Sequence, residues 1–131
     1  MGVIIGNNVE ISSLSNIHSG TIEPTIIEDF VQTDVLAHIA HNCVIKRGTC
    51  ITACSEISGS TIVGTNCMIG PNSSLMNKIS IGNNVTIGLG TAVTKSFPDD
   101  DVIAGNLADT TTNLKKNKEI LKKIIDSNSS K

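Results

Sequence analysis

The chain has 131 residues, a formal charge of −2 and two aromatic side chains, Phe30 and Phe97, with no Tyr or Trp. That length makes one domain able to bury roughly two-thirds of its unfolded surface. The charge and the missing rings exclude a broad basic nucleic-acid footprint and a stacking platform for single strands. Isoleucine supplies 20 residues, while Ser, Thr, Asn and Gly together supply 51, which predicts an interior of many small β-branched layers. No apolar run approaches the ~20 residues of a membrane span, and the N-terminus lacks a signal-peptide pattern, so a cytoplasmic location is expected.

The first apolar beat is Ile5, Ile11 and Ile17, spaced by six. Ten residues then separate Ile17 from Ile27, which predicts a four-residue insertion within about 18–26, near Pro24. From Ile27 the beat resumes through Thr33, Ile39, Ile45, Ile51, Ile57, Val63, Ile69, Leu75, Ile81, Ile87 and Val93, and eleven of these twelve positions are aliphatic. Four residues after each comes an uncharged, mostly small side chain, as in Ala37, Cys43, Thr49, Ser55, Thr61, Cys67 and Ser73. The residue directly after the aliphatic one is often Gly (Gly64, Gly70, Gly82, Gly88), which suits a tight turn with a permissive backbone.

Neither a helix nor an alternating strand keeps that phase, and a hexapeptide repeat predicts a parallel β-helix. Three hexads make one coil, so residues 18 apart stack at about the ~4.8 Å strand spacing. The reading is five coils, at 3–26, 27–44, 45–62, 63–80 and 81–98. The cysteines (Cys43, Cys50, Cys54, Cys67) contain no C-x-x-C pair and read as small apolar fillers of a reduced protein.

Beyond the coils of 1–98, residues 99–112 read as an extended loop segment and 113–131 as an amphipathic helix and tail. Asn113 is the expected N-cap, and Leu114, Leu121, Ile124 and Ile125 share one face. Six lysines against two acids give 113–131 a charge of +4 and leave −6 elsewhere.

The hexads resemble those of the hexapeptide-repeat acyltransferases over about residues 3–108. Two subgroups come nearest. The stretches GVIIGNNVEI (2–11), IHSGTIEPTIIED (17–29) and IAHN (39–42) look like the C-terminal half of the UDP-3-O-acylglucosamine N-acyltransferases. His41 ahead of CITACSEISGSTIVG (50–64) looks like the sialic-acid and bacillosamine type of sugar acetyltransferase, and VTKSFPDDDVIAGNLA (93–108) like a coenzyme-A-binding terminus. The resemblance implies an all-β fold, a left-handed parallel β-helix of about five coils with a short C-terminal α-helix. It also implies a homotrimer with active sites between subunits.

Acyl transfer from a thioester needs a base, oxyanion donors and a groove for the carrier. His41, two residues after Ile39, is expected to point away from the interior, and by resemblance it aligns with the catalytic base. Eighteen residues on lies Gly59, which would leave open backbone beside it, and eighteen further lies Asn77. The resemblance implies a backbone N–H near Cys54 or Gly59 as the oxyanion donor, and Lys95 and Asn106 as contacts to the coenzyme. His38 and Glu56, also eighteen apart, are expected to pair on one face and, with Asp34 and His18, to meet the acceptor.

The chain departs from the family patterns in four places. Cys50 and Lys78 stand where the subgroups carry a second His, Leu107 replaces the Pro of G-N-P-A, and Asp109 replaces the Lys that follows. Both subgroups carry an N-terminal sugar-holding domain, whereas this sequence opens directly in the coils.

The expected activity is transfer of acetyl from acetyl-CoA to an amino or hydroxyl group of a nucleotide-linked sugar. One alternative is transfer from acyl carrier protein, as in lipid A synthesis. The other is a catalytically inactive trimeric scaffold. No metal is expected, because His18, His38 and His41 do not have the spacing of the zinc ligands in the γ-type carbonic anhydrases on this fold. No nucleic acid or membrane partner is expected either.

Overall fold

Each hexad folds into a two- or three-residue strand followed by a corner, and three such sides close one turn. The computed structural model describes residues 1–130, so Lys131, the end of the 113–131 segment, lies outside the described residues. Face one carries Val3–Ile5, Thr25–Ile27, Val44–Ile45, Ile62–Val63 and Ser80–Ile81. Face two carries Glu10–Ile11, Gln32–Thr33, Cys50–Ile51, Met68–Ile69, Thr86–Ile87 and Val102–Ala104. Face three carries Asn16–Ile17, His38–Ile39, Glu56–Ile57, Ser74–Leu75 and Ala92–Val93. The result is a parallel β-solenoid of about six turns with one C-terminal helix, consistent with a left-handed β-helix.

The pairing registers place every irregularity. Ile27 pairs with Ile45 and Ile57 with Leu75, eighteen residues apart. In the first turn the step is twenty-two, Ile5 with Ile27 and Ile17 with Ile39, so the four extra residues lie between Ile17 and Thr25, as the sequence predicts. At the far end the step shrinks to sixteen, with Phe97 bridging to Ile81 and Ile103 pairing with Ile87. The 99–112 segment is therefore not a plain loop. Phe97 and Ile103 continue the interior columns after a two-residue deletion, both buried, and Asp109–Thr110 closes the edge antiparallel to Ile103–Ala104.

The positive-φ position is three residues after the aliphatic one, at Asn42, Cys54, Ser60, Asn66, Asn72, Lys78 and Asn84 among others, with φ between 54° and 61°. The glycine directly after the aliphatic residue has another purpose. A Cβ on Gly70 would lie 2.6 Å from the Ile87 carbonyl oxygen, so its bareness allows the next turn to approach.

Inside, Ile27, Ile39, Ile45, Ile51, Ile57, Val63, Ile69, Leu75 and Val93 are all at most 1% exposed. The small interior positions do more than fill space. Thr49, Ser55, Thr61 and Ser73 each donate from the hydroxyl to the carbonyl fifteen residues on, at 2.7, 3.0, 2.9 and 3.0 Å. Cys43 and Cys67 make the same bond from Sγ to Ser58 and Gly82, at 3.2 and 3.1 Å. A thiol and a hydroxyl are thus interchangeable at this position, which explains two of the four cysteines. Cys50 is half-buried on the outside of face two and Cys54 is exposed, so neither is a filler.

Thr33 breaks the aliphatic column. Its Oγ1 is buried and, among the described residues, has no hydrogen-bond partner. An unpaired buried hydroxyl costs about 1–3 kcal/mol, so Thr33→Val, which keeps the shape, is expected to stabilise the fold by roughly 1 kcal/mol. A thermal melt of the variant beside the parent checks this, and a lower melting temperature would refute it.

Helix α1 (Thr111–Ser129) starts two residues before the expected 113, and its cap is Thr110 rather than Asn113: Asn113 N–H donates to Thr110 Oγ1 at 3.1 Å. Asn113 instead donates from Nδ2 to Asp109 Oδ1 at 3.0 Å. No α1 side chain is buried, and Leu121, Ile124 and Ile125 are more than half exposed.

Candidate functional site

His41 is exposed on the corner that joins face three to face one, in the second turn. The eighteen-residue step puts Gly59 below it, and the fit is close: a Cβ on Gly59 would lie 2.6 Å from Cε1 and 2.7 Å from Nε2 of His41. Only a glycine lets the imidazole rest on the coil at that height. Ser60 N–H donates to the His41 carbonyl at 2.9 Å, which ties the two turns together beside the ring. Among the described residues the Gly59 N–H has no hydrogen-bond acceptor.

The His41 Nδ1 lies 2.8 Å from Asn42 Oδ1. Asn42 has φ 60° and is held on three further sides, by Thr21, Glu23 and Thr25, all from the segment around the insertion. That segment also forms one wall of a groove of about 740 Å³. Its lining includes Thr21, Ile22, Pro24, Ile26, Val44 and Ile62 together with His41, Asn42 and Ser60. An imidazole on one rim and an apolar wall beside it is an arrangement that could take a proton next to an apolar group.

His38 and Glu56 are register partners on face three, as expected. They do not form the expected pair. Glu56 accepts from Ser58 Oγ at 3.0 and 3.2 Å, while the His38 ring meets His18 edge-on, with centroids 4.9 Å apart. The one ion pair among the described residues is Arg47–Asp29 at 3.3 Å. A serine two residues away is a nearer partner for Glu56 than an imidazole in the neighbouring turn.

Asp34 and Cys54 lie on a different corner, between faces two and three. The Asp34 carboxylate accepts from Val35 N–H at 2.7 Å. The Cys54 N–H donates to the Val35 carbonyl at 3.1 Å, so within one chain it is neither free nor beside His41. Asn77 is exposed on the His41 corner, with Lys78 N–H bonded to the Gly59 carbonyl. Lys95, also exposed, sits with Nζ 5.3 Å above the Phe97 ring. Asn106 is exposed in the loop after Ala104.

Burial pushes the thiols of Cys43, Cys50 and Cys67 up, which leaves them poor nucleophiles at neutral pH. The Asp109 carboxyl is held below its usual range, first by the Asn113 side-chain amide, then by the Thr110 N–H and the Lys95 charge. Part of the Lys95 field is therefore directed at Asp109. Among the described residues no three His, Cys, Asp or Glu side chains converge as a metal-ligand group.

Sequence reasoning missed Asn42, Thr21, Glu23 and Thr25. One signal was present: an Asn directly after the His, at the position where the corner needs a positive φ.

Residues 60–95 match the profile described as bacterial transferase hexapeptide (six repeats). UDP-3-O-acylglucosamine N-acyltransferase from Bordetella avium (strain 197N) is 45% identical over 96 residues, covering 73% of this chain and 27% of that protein. The chain thus spans about a quarter of the length of the curated relatives it matches. Among solved structures, LpxA from Acinetobacter baumannii superposes with TM-score 0.77 at 26% identity, over 81% of this chain and 42% of the other. The acetyltransferase domain of PglB from Neisseria gonorrhoeae FA1090 gives TM-score 0.78 at 24% identity, over 83% and 51%, a likeness of fold. The resemblance to the hexapeptide-repeat acyltransferases, read above from the hexads and the segments around them, is borne out. Among the described residues no helix is long and apolar enough to cross a membrane.

Proposed function

We propose that this hexapeptide-repeat chain transfers an acyl group from a thioester to an amino or hydroxyl group of a nucleotide-linked sugar, with His41 as general base. The observation that supports it is the exposed His41 ring resting on Gly59 at the rim of an apolar groove. In the step, His41 Nε2 takes the proton of the attacking amine or hydroxyl as that atom bonds to the thioester carbonyl carbon. The Gly59 N–H supplies a hydrogen bond to the oxyanion. Collapse breaks the C–S bond, and the leaving thiolate takes the proton back from the imidazolium. The acceptor sugar is assigned to the His38, Glu56 and His18 side of the corner, and the carrier to Asn77, Lys95 and Asn106. A homotrimer would place each His41 in a cleft against the next subunit.

The donor is read first as acetyl-CoA. A longer acyl chain on acyl carrier protein is a second reading, and the Ile22, Ile26, Val44 and Ile62 wall favours it, because an acetyl group alone would leave that wall uncovered. The purified protein is incubated with each donor and a panel of nucleotide-linked amino sugars, and acceptor-dependent thiol release is followed. Release with either donor supports acyl transfer, and the better donor fixes the acyl class. Silence with both leaves only the non-enzymatic scaffold.

A further inference from the structure

The insertion between Ile17 and Thr25 lengthens the first turn by four residues, and its polar groups converge on a single side chain. Both ends of the segment are moored to the residue just before the first strand, since Gly20 N–H and Thr25 N–H donate to the Gly2 carbonyl at 3.0 and 3.1 Å. From there the Glu23 carbonyl accepts from Asn42 Nδ2 at 2.7 Å. Thr21 Oγ1 donates to Asn42 Oδ1 at 3.1 Å. Thr25, fully buried, accepts the Asn42 N–H on Oγ1 at 2.9 Å and donates that hydroxyl to the His18 carbonyl at 2.7 Å. A Cβ on Gly20 would fall onto the Glu23 carbonyl oxygen, so a bare residue there lets the loop fold tightly enough to present that carbonyl.

These bonds determine which way the Asn42 amide faces. A carbonyl can only accept, so the atom against Glu23 must be the NH₂ group, and the atom against His41 must be oxygen. Turning the amide over would set two oxygens, Asn42 Oδ1 and the Glu23 carbonyl, against each other. The Asn42 oxygen in turn accepts, so the His41 Nδ1 at 2.8 Å must carry the hydrogen. The lone pair is then on Nε2. A free histidine side chain prefers the opposite tautomer, with hydrogen on Nε2, so the arrangement needs an external cause.

We infer that the 18–25 insertion is a positioning device for the base: through Asn42 it holds neutral His41 as the Nδ1–H tautomer, with Thr25 and the Glu23 carbonyl as the fixed points. The inference rests on the His41 reading above for its purpose, and its geometry stands independently of it.

Nitrogen NMR of the imidazoles in the full-length protein distinguishes the two tautomers directly. Neutral His41 is expected to show hydrogen on Nδ1 in the parent protein. In Asn42→Ala and in the near-isosteric Thr25→Val the signal should move toward the Nε2–H form, while Thr25→Ser, which keeps the hydroxyl, should retain the parent pattern. Where transfer activity is present, Thr25→Val should lower kcat about tenfold with little change in KM, and Thr25→Ser should restore it. An Nε2–H tautomer in the parent, or an unchanged tautomer in both Asn42→Ala and Thr25→Val, overturns the inference. The parent tautomer as expected, but with no acyl transfer from any donor, removes the enzymatic reading and leaves the positioning device standing.

Discussion

Replacing His41 with Ala is expected to lower acyl transfer by about 10²- to 10⁴-fold, the usual contribution of a positioned general base. The fold should be untouched, because the ring is exposed and lies on the outside of the coil. Its loss uncovers Gly59 without opening the interior. The measurement is the initial rate of thiol release at saturating donor and acceptor, with a thermal melt on the same sample. A rate within a few-fold of the parent would assign the proton transfer to another group. A collapsed melt would mean that the ring supports the corner structurally.

The second large effect concerns the interior. Ile69 is fully buried between Ile51 and Ile87 in the column behind face two. Ile69→Ala is expected to destabilise the protein by about 2–5 kcal/mol, because the solenoid cannot collapse onto the gap without breaking ladder bonds on three faces. Its neighbour Met68 points outward and is 44% exposed, so Met68→Ala should stay within about 0.5 kcal/mol. Denaturant melts of the two variants side by side make the comparison. Equal losses would mean that the hexad phase has been assigned to the wrong residues.

The periodic part of this molecule was legible because one rule acts on every turn. The interior positions from Ile27 to Val93 are buried in the phase that the sequence predicts, and even the Thr33 exception remains inside. The ten-residue gap after Ile17 located the insertion for the same reason. The deletion before Phe97 was not legible, because an aromatic next to Pro98 does not resemble the Ile-Gly steps before it. At the site, stacking arithmetic put Gly59 under His41, since both belong to the repeat. It failed for Glu56, whose partner is decided by side-chain reach across two residues rather than by register. It was silent on Thr25 and Asn42, whose bonds arise in the stretch that obeys no period.

The fifteen-residue ladder of hydroxyls and thiols has a consequence for how such a chain can change in length. Its donors recur every six residues, and so do the aliphatic columns, so the interior cannot tell one face from another. Removing six residues would rotate everything downstream by a third of a turn and still return an aliphatic side chain to each column and a carbonyl to each donor. The outside has no such indifference. His41 and Gly59 share a corner only because they are eighteen apart, and a shift by six would carry Gly59 and Asn77 round to another edge. Core stability thus imposes a threefold degeneracy that only the surface breaks. Selection for the site, not for folding, would keep this solenoid counting in eighteens.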